Sequence, residues 1–170
     1  MSISDAVVQA SAYLAEHPDE ARYRDSAAVA RLAEDLHVDV LGPAGETLTT
    51  DMPNGVGGAA NAPSPGWYFR AAAAACVASL MGIRAAMLGV TLAPGSVEVS
   101  VDSESDDRGI LGLDDSVPAG ALSIRVAVSV TARDLEREQV EAIARWAVDH
   151  CPVTDTARRA VPIEIVVGEG

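Results

Sequence analysis

The chain has 170 residues, of which 49% are hydrophobic, and carries a formal net charge of −13. This length and composition predict an ordered domain with a substantial core rather than a disordered chain. The acidic charge repels phosphate backbones and anionic lipid surfaces, so we expect neither nucleic acid nor a membrane as a partner. Two cysteines are too few for a disulfide-built scaffold, and the N-terminus shows no signal-peptide pattern. We therefore expect a cytoplasmic location.

The first predicted element is a short helix. Ser4 or Asp5 supplies its N-cap, and it ends near Glu16 because a proline follows two residues later. The next segment is polar and is predicted to be a loop. We therefore interpret residues 1–25 as a helical arm and residues 26–170 as the main domain.

The main domain is predicted to open with strands. Residues 36–40 alternate between apolar and polar side chains, a period of two that is typical of a strand. A turn rich in glycine follows, and residues 46–50 are predicted to return as the second strand of a hairpin. Residues 53–65 are rich in glycine and proline and are predicted to be a loop.

A long helix is predicted from Ser64-Pro65 to about Leu88. Serine is a favoured N-cap, proline is favoured at the first helical position, and Gly89 provides the stop. The stretch from Ala71 to Met81 carries a single polar side chain, Ser79. A helix that is apolar on nearly all sides must be buried on nearly all sides.

The C-terminal half is predicted to continue with strands and one helix. Residues 97–101, 122–131 and 162–167 are predicted strands, residues 102–115 an acidic exposed connection, and residues 134–150 an amphipathic helix. Strands in hairpins beside packed helices indicate an α+β fold. No glycine-rich phosphate loop follows a strand, so the sequence does not favour a nucleotide fold.

Cys76 lies in the middle of the long predicted helix. At about 100° per residue it shares a stripe with Phe69, Leu80, Ile83 and Met87. Free cysteine is among the most buried residue types. One interpretation is therefore that Cys76 only fills space in the core.

Cys151 is followed by Pro152 and a segment, residues 153–160, that can form a short helix. A thiolate at such an N-cap faces unpaired N–H groups, which lowers its pKa. The alternative is that Cys151 only caps the helix or fills space. The two cysteines also suggest a pair in which one thiol attacks a peroxide and the other closes a disulfide. Their spacing along the chain does not show whether they meet.

Other site chemistries find little support in the sequence. The histidines and cysteines show no metal-ligand spacing apart from the adjacent His150 and Cys151, so we expect no zinc site. The acidic run 102–107 lacks the glycine of a calcium loop. No serine carries the elbow motif of a Ser-His-Asp hydrolase. No metal or cofactor is expected.

Two segments resemble motifs of a known family. The run from Ser64 to Cys76, Ser-Pro-Gly-Trp-Tyr-Phe-Arg followed by five alanines and the cysteine, resembles the Asn-Pro-Glu helix start that carries the first cysteine of OsmC and Ohr proteins. The sequence His150-Cys151-Pro152-Val153 resembles the second, Cys-Pro-Val motif of that family, and Gly57-Gly58 also fits. The resemblance covers about residues 27–168.

The resemblance implies an intertwined homodimer in which antiparallel sheets wrap long central helices. It also implies thiol-dependent reduction of organic hydroperoxides, with Cys76 as the attacking thiol and Cys151 as its disulfide partner. A thiol or a lipoyl-type dithiol protein would restore the reduced form. No cofactor is implied.

The sequence departs from the family pattern at Gly66, where peroxidase members carry a glutamate that orients an arginine against the thiolate. Arg31, in the strand region, and Arg70, on the long helix, are the candidate supporting cations. Without a nearby cation, a buried Cys76 keeps a raised pKa and reacts slowly. Two alternatives therefore stay open, a non-catalytic relative that binds a small apolar ligand and a purely structural dimer.

Overall fold

The computed structural model describes residues 1–131 and 135–168. The chain forms two compact units, Met1–Ala71 and Ala72–Gly170. The first unit contains two short 3₁₀ turns, Pro18–Ala21 and Asn54–Val56, between its regular elements. Those elements are α1 (Ile3–Glu16), β1 (Val29–Leu32), β2 (Val38–Leu41), β3 (Thr47–Thr50) and the start of α2 (Pro65–Met87).

Helix α1 confirms the predicted N-terminal helix but begins earlier. Ser2, not Ser4 or Asp5, is the N-cap, and it forms a capping box with Asp5. The Ser2 hydroxyl accepts the Asp5 amide at 3.1 Å, and the Asp5 carboxylate accepts the Ser2 amide at 3.0 Å. This reciprocal pair satisfies two N–H groups that have no partner inside the helix.

Strands β1, β2 and β3 form an antiparallel sheet in chain order. The predicted hairpin is confirmed as β2 and β3, which place Val40 opposite Leu48. Strand β1 was not predicted, because its sequence, Val-Ala-Arg-Leu, shows no alternation, and all four of its residues are exposed. Its Arg31 lies opposite Asp39 of β2.

Asp51 organises the loop that leads to α2. Its carboxylate accepts the backbone amides of Met52 at 2.7 Å, Ala59 at 3.4 Å and Asn61 at 3.0 Å. The amide of Asn61, opposed by burial and supported by the other two amides, lowers the pKa of Asp51. A single side chain therefore ties both ends of this glycine-rich loop together.

Gly58 fits this loop because no side chain can be placed there. A Cβ at Gly58 would lie 1.9 Å from the carbonyl oxygen of Met52. The preceding Gly57 has a φ of 93°, a left-handed conformation that favours glycine. The Gly57-Gly58 pair is therefore required by the path of the backbone.

Helix α2 confirms the predicted start and end. The Ser64 hydroxyl accepts the amide of Trp67 at 3.2 Å, and Gly89, just beyond the helix, has a φ of 71°. The buried stripe differs from the predicted one, since Phe69 and Met87 are exposed and Cys76 is half-buried. The buried residues instead recur every fourth position: Ala73, Val77, Met81 and Ala85.

The second unit contains the rest of α2 and an antiparallel pair of strands beside further helices. The predicted connection over residues 102–115 was partly wrong. The first strand of the pair extends to Glu104, and a short helix follows at Asp107–Ile110. The predicted start of the amphipathic helix at Asp134 lies outside the described residues. The elements are β4 (Val97–Glu104), α3 (Asp107–Ile110), β5 (Ser123–Val130), α4 (Arg137–Asp149) and α5 (Pro152–Arg158).

The core of the second unit lies between α2, α4 and the β4–β5 pair. Half-buried valines of both strands pack against the buried residues of this core. These buried residues are Val77, Met81, Ala85, Ile143, Ala147 and Cys151.

The predicted strand over residues 162–167 is wrong for this chain. Those residues form no strand, and Ile163, Ile165 and Val167 are more than 80% exposed. A strand needs a neighbour for its backbone hydrogen bonds, and no described segment of the chain pairs with this one.

By length and composition α2 could cross a membrane, and it is the single such helix among the described residues. Core helices of soluble proteins meet the same criteria. Three residues of α2 belong to the buried cluster of the second unit, but only 22% of its most apolar window is buried. The predicted burial on nearly all sides is therefore not reached within one chain.

Candidate functional site

Helix α2 carries Cys76 on the flank of its buried stripe. The next residue, Val77, is fully buried, whereas Cys76 is half-buried. Cys76 packs against the core cluster without belonging to its buried centre. Its sulfur therefore lies where core and surface meet.

Cys151 lies at the junction of α4 and α5. It is the N-cap of α5, as predicted, and Pro152 occupies the first helical position, where its fixed φ suits a helix and its missing N–H costs nothing. The residue is 0% exposed. The short turn after α4 therefore places the second sulfur inside the core.

The two cysteines come together in the fold. Both are free thiols, and their side chains lie in hydrogen-bond contact. Their contact joins the middle of α2 to the start of α5. The spacing of the two residues in sequence gave no indication of this contact.

The surroundings of Cys76 disfavour its thiolate. Burial, the hydrogen bond with Cys151 and the negative charge of that residue raise the pKa of Cys76 to about 11, although the amide of Val153 acts in the opposite direction. Among the described residues, no cation is among the groups that shift this pKa. A thiol with this pKa is almost wholly protonated at neutral pH.

The surroundings of Cys151, in contrast, favour its thiolate. Burial alone would raise the pKa of Cys151, but four hydrogen bonds outweigh it and lower the pKa below its ordinary value. The donors are the amide of Thr154, the thiol of Cys76, the hydroxyl of Thr154 and the amide of Val153. The negative charge is therefore favoured on Cys151 over Cys76.

Thr154 and an ion pair fix the turn that carries Cys151. The Thr154 hydroxyl donates to the carbonyl of Val148 at 2.6 Å and lies 3.1 Å from the carbonyl of Cys151. Arg158 of α5 donates to Asp149 of α4 at 2.8 Å. These contacts join the end of α4 to both ends of α5.

An aromatic stack holds the end of α4 against α2. The guanidinium of Arg84 lies 5.1 Å from the ring centre of Trp146, and the His150 ring stacks on the same indole at 4.2 Å. The Nδ1 atom of His150 lies 2.8 Å from the carbonyl of Trp146. Sequence reasoning missed this stack, although an aromatic and a histidine four residues apart on a helix indicate a contact.

The predicted supporting cations both belong to the first unit. Arg31 lies on the exposed strand β1, and Arg70 lies on the first turns of α2. A role for either one beside the thiols stays a prediction.

Gly66 lies next to the Arg70 side chain. A Cβ at Gly66 would be 3.6 Å from the Nη1 atom of Arg70, so a side chain at this position would meet the guanidinium. Arg70 also borders a cleft of about 460 Å³. The cleft is lined mainly by apolar residues and includes Pro53, Ala60, Ala62, Pro63, Ser64 and Trp67.

These features define an α+β protein with a paired-thiol site. Residues 57–166 match the family model for OsmC-like proteins. The chain therefore belongs to the OsmC family, and the predicted family and α+β fold are confirmed. No curated protein matches this sequence.

Solved structures support the same fold. An OsmC-like protein from Mycoplasma pneumoniae is 14% identical with a TM-score of 0.67, over 82% of this chain and 91% of that chain. An organic hydroperoxide resistance protein from Elizabethkingia anophelis is 16% identical with a TM-score of 0.64, over 82% and 91%. One from Legionella pneumophila is 21% identical with a TM-score of 0.62, over 81% and 91%.

Proposed function

We propose that the protein reduces organic hydroperoxides by a two-cysteine mechanism. The observation that carries the proposal is the direct contact between a half-exposed thiol, Cys76, and a buried one, Cys151. The family supports a peroxide-related role, since two of the similar structures are organic hydroperoxide resistance proteins. Cys76 is proposed as the attacking thiol because its sulfur is the more accessible of the two.

In the first step Cys151 acts as the base for Cys76. The Cys151 thiolate accepts the proton of Cys76, and the Cys76 thiolate attacks the outer peroxide oxygen. The O–O bond breaks, Cys76 becomes a sulfenic acid, and the departing alkoxide takes the proton from Cys151 to give the alcohol. A nucleophile with a high pKa is thereby activated by an adjacent base.

In the second step Cys151, again a thiolate, attacks the sulfur of Cys76. The S–O bond breaks, the disulfide forms, and hydroxide leaves and takes a proton from solvent. One hydroperoxide is reduced to alcohol and water while two thiols are oxidised. A thiol or lipoyl-type dithiol then returns the two electrons.

A cytoplasmic homodimer is part of the proposal. Both ends of α2 expose large apolar side chains, as do β1 and the C-terminal segment 162–167. Exposed apolar surface on this scale is typical of interaction sites. A second copy of the chain would cover it.

A non-catalytic protein that binds a small apolar ligand is the second candidate. Gly66 in place of the family glutamate, the raised pKa of Cys76 and the apolar cleft beside Trp67 favour it. In that case the thiols would survive hydroperoxide. An apolar fluorescent probe such as anilinonaphthalene sulfonate would bind the cleft, and Trp67→Ala would weaken its binding.

The deciding experiment counts free thiols after one equivalent of cumene hydroperoxide. The wild type is expected to lose both thiols and to give a Cys76–Cys151 peptide linkage in mass spectrometry. Cys151→Ser lacks both the proposed base and the disulfide partner, so it is expected to react more slowly and to stop at a sulfenic acid on Cys76 that dimedone traps. Cys76→Ser is expected to keep its remaining thiol.

Hydrogen peroxide at the same concentration is the matched control, because it lacks the organic group of cumene hydroperoxide. Slower oxidation by hydrogen peroxide supports the organic substrate class. Survival of both wild-type thiols in excess cumene hydroperoxide would rule out the enzyme.

A further inference from the structure

Thr154 lies in the first turn of α5, three residues after Cys151, and is 7% exposed. A hydroxyl buried to this extent requires a hydrogen-bond partner. Its partner is the carbonyl of Val148, at the short distance of 2.6 Å. This contact crosses from α5 back to α4.

The carbonyl of Val148 needs an external donor. It lies in the last turn of α4, where carbonyls have no partner within the helix. Thr154 supplies that donor, and the contact closes the turn that carries His150 and Cys151. The position of the Cys151 sulfur therefore depends on this one hydroxyl as well as on core packing.

Both polar groups of Thr154 also face the Cys151 sulfur. Its backbone amide and its hydroxyl are among the groups that hydrogen-bond to this thiol. The hydroxyl carries one proton, and its shortest contact, 2.6 Å, assigns that proton to the Val148 carbonyl. The backbone amide is therefore the donor that Thr154 offers the sulfur without releasing the turn.

We propose that Thr154 is a positioning residue of the thiol pair: its hydroxyl holds the α4–α5 turn through the Val148 carbonyl, so that the Thr154 amide faces the Cys151 sulfur and Cys151 contacts Cys76. The inference rests on the proposed two-cysteine chemistry for its role in catalysis. The contact itself rests on the fold alone.

The hydroxyl of Thr154, rather than the volume of its side chain, is expected to hold the turn. Thr154→Val keeps the shape and removes the donor, whereas Thr154→Ser keeps the donor and removes a methyl group. Thr156→Val is the matched control, because Thr156 lies on the same helix and is exposed. Circular dichroism and thermal unfolding establish that each variant is folded.

The test uses dithionitrobenzoate (DTNB) on the reduced full-length protein, without hydroperoxide. One thiolate, expected to be that of the half-exposed Cys76, attacks the reagent disulfide, forms a mixed disulfide and releases one thionitrobenzoate. Cys151 then attacks the protein sulfur of that mixed disulfide, closes the internal disulfide and releases a second. The second phase measures how well the two sulfurs are placed.

Thr154→Val is expected to slow the second phase about tenfold, as the loss of one buried hydrogen bond predicts. It is also expected to shift the pH profile of that phase to higher pH. Thr154→Ser restores the wild-type rate and profile to within about twofold, and Thr156→Val leaves both unchanged. A folded Thr154→Val protein with the wild-type rate and profile would overturn the inference.

The outcomes separate the two proposals. A wild type that releases two equivalents from DTNB but keeps its thiols in hydroperoxide would refute the peroxidase proposal and leave the role of Thr154 intact. A wild type with no second phase would refute the role of Thr154, because the sulfurs would then not meet in solution.

Discussion

The two units of the molecule differ in what they bury. In the described part of Ala72–Gly170 the buried residues are mainly apolar. In Met1–Ala71 the buried residues are Thr50 and Asp51, both polar. Hydrophobic packing therefore positions the thiol pair, whereas hydrogen bonds to the Asp51 carboxylate organise the loop before α2.

This difference shows which parts of the fold are complete within one chain. The second unit has a core that can hold two sulfurs in contact. The first unit leaves apolar side chains such as Val29, Leu32 and Leu41 exposed on its sheet. It has too little buried apolar surface to contribute much stability on its own, so a partner is expected to cover this sheet.

The largest effect is expected for Met81→Ala, in the core of the second unit. Met81 is 1% exposed, and its truncation removes buried methylene groups and leaves a cavity. The free energy of unfolding is expected to fall by about 2–5 kcal/mol in urea denaturation. Met87→Ala on the same helix, at 45% exposure, is the control and is expected to cost far less. Equal losses for both would show that the core assignment is wrong.

A charge on the exposed sheet of the first unit is expected to weaken the dimer. Leu32→Glu, on β1, places a carboxylate on the surface that we expect a second copy to cover. The dimer dissociation constant, from light scattering across a dilution series, is expected to rise at least about tenfold. Leu113→Glu is the control, since Leu113 has a similar exposure in the second unit, 71% against 67%. A monomeric wild type at high concentration would contradict the proposal.

Asp51→Asn is expected to lower the melting temperature of the protein at neutral pH. The folded pKa of Asp51 lies below its ordinary value of 3.8, so the ionised group stabilises the fold above that pH. This stabilisation is lost as the pH falls through the folded pKa. The melting temperatures of wild type and variant should therefore converge in acid. Asp39→Asn, at an exposed carboxylate, should show a smaller difference.

Gly66→Glu is expected to give the smallest change. The new carboxylate, four residues before Arg70, is expected to form an ion pair with its guanidinium. It would also be stabilised by the positive N-terminal end of the α2 dipole. The melting temperature is expected to rise slightly, with Gly66→Gln as the control that removes only the charge. A faster reaction of Cys76 with hydroperoxide in the Glu variant alone would link Arg70 to the thiols. An unchanged oxidation rate would show that the carboxylate affects only the stability of the start of α2.

Local sequence signals predicted the elements whose ends are determined locally. Ser64-Pro65 and Gly89 delimit α2, and Cys151-Pro152 begins α5, because caps and stops depend on neighbouring residues. Strand β1 was missed, since it shows no periodicity. The strand predicted over residues 162–167 has the right composition, but a strand also needs a partner that sequence patterns do not supply.

The site was predictable only in part. The resemblance indicated both cysteines, yet their contact depends on the packing of α4 against α2. The roles of Thr154 and of the Arg84–Trp146 stack depend on distances between helices, for which the sequence holds no local signal. The effect of Gly66 on the thiols was predicted from the family pattern and stays a prediction.

The full burial of Cys151 bears on how the oxidised protein would be regenerated. If the proposed disulfide forms, an incoming thiol would reach its half-buried Cys76 side rather than the fully buried Cys151 side. Attack there would leave the reductant attached to Cys76 and expel Cys151, whose lowered pKa makes it the better leaving group. The hydrogen bonds at the start of α5 would then favour re-reduction of the thiol pair as well as the proposed oxidation.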